Sequence, residues 1–124
     1  MIPVMRPVYL VLLTAMIPCL SRAGNEDLAR QVKPALVAIY PAGRGGTEAG
    51  VGSGFVISED GLIATNLHVI GEGRGLRVEF PDGNSREVTE IHAWDRARDL
   101  AVIRVAGSGM ACLPLGDSGT VEQG

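Results

Sequence analysis

A histidine and an aspartate, each at the edge of a short apolar run, are the residues of this chain best suited to chemistry. Thr65-Asn-Leu-His68-Val closes one run and Asp99-Leu-Ala-Val102 opens another. If the two side chains meet, the carboxylate accepts from one imidazole nitrogen and fixes the tautomer. The other nitrogen is then free to take a proton from a nucleophile. Asp99 leads into the apolar residues Leu100 to Ile103, so it is expected to sit partly buried. The remaining polar candidates offer less. His92 beside Glu90 lies in a polar stretch and is expected to be exposed, and His68, His92 and Cys112 have no metal-ligand spacing, so neither a metal nor another cofactor is expected. The glycines between Gly43 and Gly54 precede no Lys-Ser/Thr pair and open no helix, which excludes a phosphate loop. They fit a surface loop and a close-packed strand start. Ser53 has no base near it in sequence and is read as structural.

Bringing His68 to Asp99 requires a fold that joins distant segments, and the pattern points to one. Asn25 to Val32 reads as a short helix capped by Asn25, with Glu26 and Asp27 in its first turn. From Pro34 onward, short apolar runs alternate with turn residues. Strands are predicted at Ala35–Tyr40, Gly52–Ser58, Leu62–Asn66, Leu76–Phe80, Ser85–Trp94 and Leu100–Val105. Leu76, Val78 and Phe80 share one face of the fourth, opposite Arg77 and Glu79. The alternation of the fifth slips between Val88 and Ile91, the mark of a bulge. Trp94 is expected to pack at a barrel end. No long helix separates the strands, so a parallel sheet is excluded. The class is all-β, antiparallel, and a closed six-stranded barrel is favoured over a sandwich because closure leaves no sheet edge unpaired.

Composition is consistent with this and narrows the function. The 124 residues carry 11 Lys+Arg against 14 Asp+Glu, a net charge of −3, which gives no basic face for nucleic acid. Hydrophobic residues make up 46%, too many for a disordered chain. Much of that excess lies in Met1 to Ala23, which reads as a secretory signal. Arg6 stands before an uncharged apolar run, Val8 to Ile17, then come Pro18 and the small residues Ser21 and Ala23 at −3 and −1 of a cut before Gly24. The run is shorter than the roughly 20 residues that span a bilayer. No stable membrane insertion is therefore expected after cleavage, and the protein is placed outside the cytoplasm, in the periplasm or secreted. A lipoprotein cut at Cys19 ranks lower, because Pro18 is a poor fit to the small residue such a site wants. Cleavage leaves Cys112 alone, with no internal disulfide.

Four blocks, Gly52-Ser-Gly-Phe-Val-Ile, Gly61-Leu-Ile-Ala-Thr-Asn-Leu-His-Val, Asp99-Leu-Ala-Val-Ile and Leu113-Pro-Leu-Gly-Asp-Ser118, occur in the order and spacing of the HtrA/Deg family of trypsin-like serine proteases, which the chain resembles from Asn25 onward. The resemblance implies that His68 is the general base, that Asp99 orients it, and that this is the first of two six-stranded barrels. On that view 1–23 is the signal, 24–115 the barrel and 116–124 the start of the link to a second barrel, which carries the nucleophile. Leu67 departs from the family's usual Asn or Ala before the histidine. Gly116-Asp-Ser-Gly119 imitates the nucleophile loop of digestive trypsin-like enzymes, but Thr120 replaces the second glycine. Too few residues lie between Asp99 and Ser118 to build the barrel that holds the oxyanion-hole amides. Ser118 is read as a linker residue. The implied activity is endopeptidase action on unfolded or damaged exported polypeptides, with a homo-oligomer of the complete protein allowed. The alternative is a protease-like barrel that binds without cleaving.

Overall fold

The computed structural model describes residues 17–42, 50–71 and 75–123. Residues 1–16 of the expected leader lie outside the described residues, as do Gly43, Gly45 and Gly46 of the first glycine-rich loop and Gly73 of the second. The chain forms two units, one ending at Val32 and one beginning at Lys33. The first contains helix α1, Ile17–Val32. The helix starts well before Asn25, so Asn25 lies inside it and caps nothing. The turn that precedes Asn25 already supplies carbonyl partners for the N–H groups a cap would serve. Pro18 falls in the first turn, where its missing N–H removes no intrahelical bond. No helix among the described residues is long and apolar enough to cross a membrane.

The second unit opens with a 3-10 turn, Lys33–Ala35, in which Pro34 takes the fixed φ it needs. Then follow β1 (Leu36–Tyr40), β2 (Gly52–Val56), β3 (Leu62–Thr65), the one-turn helix α2 (Leu67–Ile70), β4 (Arg77–Glu79), β5 (Ser85–Asp95) and β6 (Leu100–Val105). They close into an antiparallel barrel in the order β1-β2-β3-β6-β5-β4, with β4 returning to β1 through Ile39 opposite Val78. The fold is the all-β, six-stranded barrel that the spacing predicts.

Two-residue periodicity explains the interior. Ile39, Val56, Ile63, Val78, Ile103 and Val105 are fully enclosed, and each gains about 1.5–3 kcal/mol on leaving water. The slip foreseen in the fifth strand is present: the β5–β6 register shifts between Val88 and Glu90, and again between Ile91 and Ala93. Such bulges bend a strand, which a small closed barrel requires. Gly61 makes the β2–β3 turn. Its φ is +98°, and a Cβ there would run into the carbonyl of Val105, whose amide donates to the Gly61 carbonyl at 3.0 Å. Trp94 does not pack at a barrel end. It is 63% exposed and, with Leu100, lines an outer apolar hollow. Among the described residues Thr65 is the one buried polar residue, and its hydroxyl donates to the Ser53 carbonyl at 2.8 Å.

Candidate active site

Strand β3 delivers the histidine and the β5–β6 turn delivers the aspartate. After Thr65 the chain leaves the ladder at Asn66, whose backbone is extended, and makes the single turn of α2. Leu67, Val69 and Ile70 anchor that turn to the core, while His68 points outward. The packing is tight: a Cβ on Gly52 of β2 would collide with the Val69 side chain, so only glycine lets β2 approach α2 this closely. This is the close-packed strand start expected of the glycines.

The opposing turn is organised by Asp95 at the end of β5. Its carboxylate accepts from the amides of Ala97 at 2.9 Å and Arg98 at 3.2 Å, and from the Arg98 guanidinium at 2.6 Å. Those bonds, the guanidinium first, hold its carboxyl below the ordinary 3.8. They bring the chain round so that Asp99 enters β6 with φ +53°, a left-handed conformation that aspartate tolerates better than most residues.

At the rim the two residues meet. Asp99 Oδ2 lies 2.5 Å from His68 Nδ1, and Oδ1 accepts from the His68 backbone N–H at 2.8 Å. The Asp99 carbonyl accepts from Leu67 N at 3.1 Å and Asn66 Nδ2 at 2.9 Å. A carboxylate accepts only, so Nδ1 must carry the proton and Nε2 presents a lone pair. Nε2 has no partner among the described residues, and the His68 side chain is 71% exposed. The arrangement can therefore hold a histidine in one tautomer with its second nitrogen open to an incoming group. Asp99 is half-exposed, as expected, with 46% of its side chain accessible.

The same bonds make Asp99 an acid-sensitive point. The His68 ring, then the His68 amide, lower its carboxyl below the ordinary 3.8. A depressed carboxyl stabilises the fold in full above about pH 3.8 and loses that contribution as pH falls through its lower folded value. The part of the stability difference between the native chain and Asp99→Asn that comes from this carboxyl should thus shrink as pH falls below 3.8. Urea titrations at stepped acid pH measure it, and a difference that ignores pH through that window contradicts the assignment. Asp60 and Asp95 have lowered carboxyls too, but both variants share them.

The other sequence candidates fall away from this rim. His92 is exposed on the outer wall, 3.7 Å from Glu90, in a chain of charges that continues from Glu90 to Arg104 and Asp60. No group of three His, Cys, Asp or Glu fit to hold a metal occurs among the described residues. Ser53 contributes its carbonyl, to Thr65. Ser118 lies in a 3-10 turn, Ser118–Thr120, started by Asp117, which accepts from Gly119 N. Neither serine hydrogen-bonds to His68. Two supporting residues escaped the sequence reading. Asp95 heads the turn Asp-Arg-Ala-Arg, a signal of an Asx turn that was available locally. Asn66 had no such signal, because its partner lies on another strand.

Comparison with known proteins bears on this geometry. Residues 52–124, which contain both rim segments, match the trypsin-like peptidase domain. The chain belongs to that family. Within the trypsin-like peptidases it is HtrA/Deg-like. It is 39% identical over 104 residues to "Serine protease HTRA2, mitochondrial" of Bos taurus, covering 79% of this chain and 22% of that protein. It is 36% identical over 84 residues to "Probable periplasmic serine endoprotease DegP-like" of Ectopseudomonas mendocina, covering 68% of this chain and 18% of that one. The solved serine endoprotease from Yersinia pestis superposes with a TM-score of 0.64 at 28% identity, over 71% of this chain and 31% of that one. This trypsin-like chain thus spans about a fifth of the length of the curated relatives it matches.

Proposed function

We propose that this chain supplies the proton-handling half of an HtrA-type serine endopeptidase. The observation that carries the proposal is the His68–Asp99 pair, bonded twice through one carboxylate, with Nε2 left open. In the reaction a serine hydroxyl attacks a peptide carbonyl and its proton passes to His68 Nε2. Asp99 keeps the ring oriented throughout and offsets the positive charge the ring then holds. Collapse of the tetrahedral intermediate returns that proton to the leaving amine. The serine is assigned to a second barrel, since no Gly-x-Ser-Gly-Gly occurs in these 124 residues.

The apolar wall beside the rim supports that assignment. Leu36, Phe55 and Leu100 stay exposed around a hollow that reaches Thr65 and Asn66. An apolar surface of this kind suits a packed neighbour better than water. On this reading 1–23 is a removed leader, 24–115 the first barrel and 116–124 the link onward. The substrates are unfolded or damaged polypeptides outside the cytoplasm.

The test is the coding sequence downstream of Gly124 and its product. A Gly-x-Ser-Gly-Gly motif some tens of residues on, with its serine labelled by a fluorophosphonate probe, is the expected result. A stop codon directly after Gly124, or a probe attached to Ser118, overturns the proposal.

A further inference from the structure

Asn66 stands where an asparagine side chain ordinarily caps a helix, accepting from an amide of the first turn. It makes no such bond to α2. Its Nδ2 reaches across the rim instead and donates to the Asp99 carbonyl at 2.9 Å. Asp99 is the one non-glycine residue with positive φ among those described. That conformation turns its carbonyl and its carboxylate towards the same short segment. The carbonyl takes Asn66 and Leu67, and the carboxylate takes His68 at both the amide and the ring. A return of Asp99 to the ordinary negative φ would swing the carbonyl away from the side chain and open the fork on His68.

The Asp95 turn aims the chain and His68 holds the carboxylate, but the Asp99 backbone itself has few other partners. Asp99 N reaches the Arg96 carbonyl only at 3.4 Å, near the limit of a hydrogen bond. The Leu67 amide contributes a bond that any residue but proline would supply. The donor that depends on a particular side chain is Asn66.

We infer that Asn66 is a positioning residue: its side-chain amide keeps Asp99 left-handed and so keeps the carboxylate on His68 Nδ1. The inference rests on reading His68 and Asp99 as a proton relay. Removing the donor leaves the Asp99 carbonyl one bond poorer and lets the carboxylate drift. The ring would then return towards the mixture of tautomers of free histidine, rich in the Nε2–H form that cannot take a proton from a serine.

Nitrogen-15 NMR of histidine-labelled chain, in mildly alkaline buffer, reads this without any substrate. The native chain should show His68 as the Nδ1–H tautomer, with its Nδ1 proton far downfield and protected from exchange. Asn66→Leu keeps the shape and loses the donor, and Asn66→Ala loses both. In each, loss of the downfield proton and a shift of both ring nitrogens towards free histidine are expected, while the Ile63 and Ile103 methyl signals keep their native positions. Native ring shifts in both variants would mean that Asn66 does nothing for the ring. Collapse of the core methyl dispersion in both would make it a fold residue and overturn the positioning role. A native chain whose own ring already resembles free histidine would defeat the proton relay itself, and the inference with it.

Discussion

Under the proposed function, asparagine in place of Asp99 in the complete protein should lower kcat by about 10^4-fold, the loss that the wrong histidine tautomer causes in a trypsin-like triad. The geometry makes the direction of the amide unambiguous. One carboxylate oxygen accepts from the His68 backbone N–H at 2.8 Å, and only an oxygen can fill that place. The asparagine oxygen must therefore face the backbone, which aims its NH2 at His68 Nδ1, 2.5 Å from the carboxylate in the native pair. Two N–H groups cannot share that approach, so the ring gives up its Nδ1 proton and carries it on Nε2. Nε2 then has no lone pair for the serine. Substrate binding does not pass through this contact, and KM should stay near its native value. Steady-state hydrolysis of an unfolded polypeptide, with the variant's fold checked by circular dichroism, measures the effect. A variant within tenfold of the native rate would remove Asp99 from the relay.

The parts of this site that alternation can express were legible in the sequence, and the parts made by hydrogen bonds between strands were not. Leu100–Val105 and the inward Leu76 and Val78 follow from a two-residue period that burial enforces directly. Even the bulge in Ser85–Asp95 left a trace, since an extra residue must shift the pattern. The meeting of His68 and Asp99 was readable because barrel closure puts strand ends on a common rim. The left-handed Asp99, by contrast, is ordinary in its local sequence. Its conformation is paid for by donors from Asn66 to His68, more than thirty residues away in the chain. Helix α1 was cut short for the opposite reason: Asn25 with Glu26 and Asp27 is a sound start signal, but an existing preceding turn makes it redundant. Trp94 misled because size and apolarity suggest packing, while its position on the bulged outer wall leaves it in solvent.

That contrast between interior and wall sets the largest expected stability effect. Ile63→Ala should cost about 2–5 kcal/mol. Ile63 is fully enclosed, between Val56 on β2 and Ile103 on β6, and all three belong to the same core. Removing its methyls leaves a cavity that two neighbouring ladders prevent from collapsing. A domain of this size has only about 5–15 kcal/mol in total, and a small barrel lies towards the low end. Trp94→Ala removes more atoms, yet from a side chain 63% exposed, and should stay within about 1 kcal/mol. Urea unfolding should show the first as a much lower midpoint at unchanged slope, and the second as almost none. Equal losses would mean that the apolar wall carries as much of the fold as the core. The consequence reaches the rim, because β3 holds Ile63 just ahead of Thr65, Asn66 and His68. When the barrel opens there, the segment that meets Asp99 loses its support, so the downfield His68 proton should disappear at the same urea concentration as the core methyl signals.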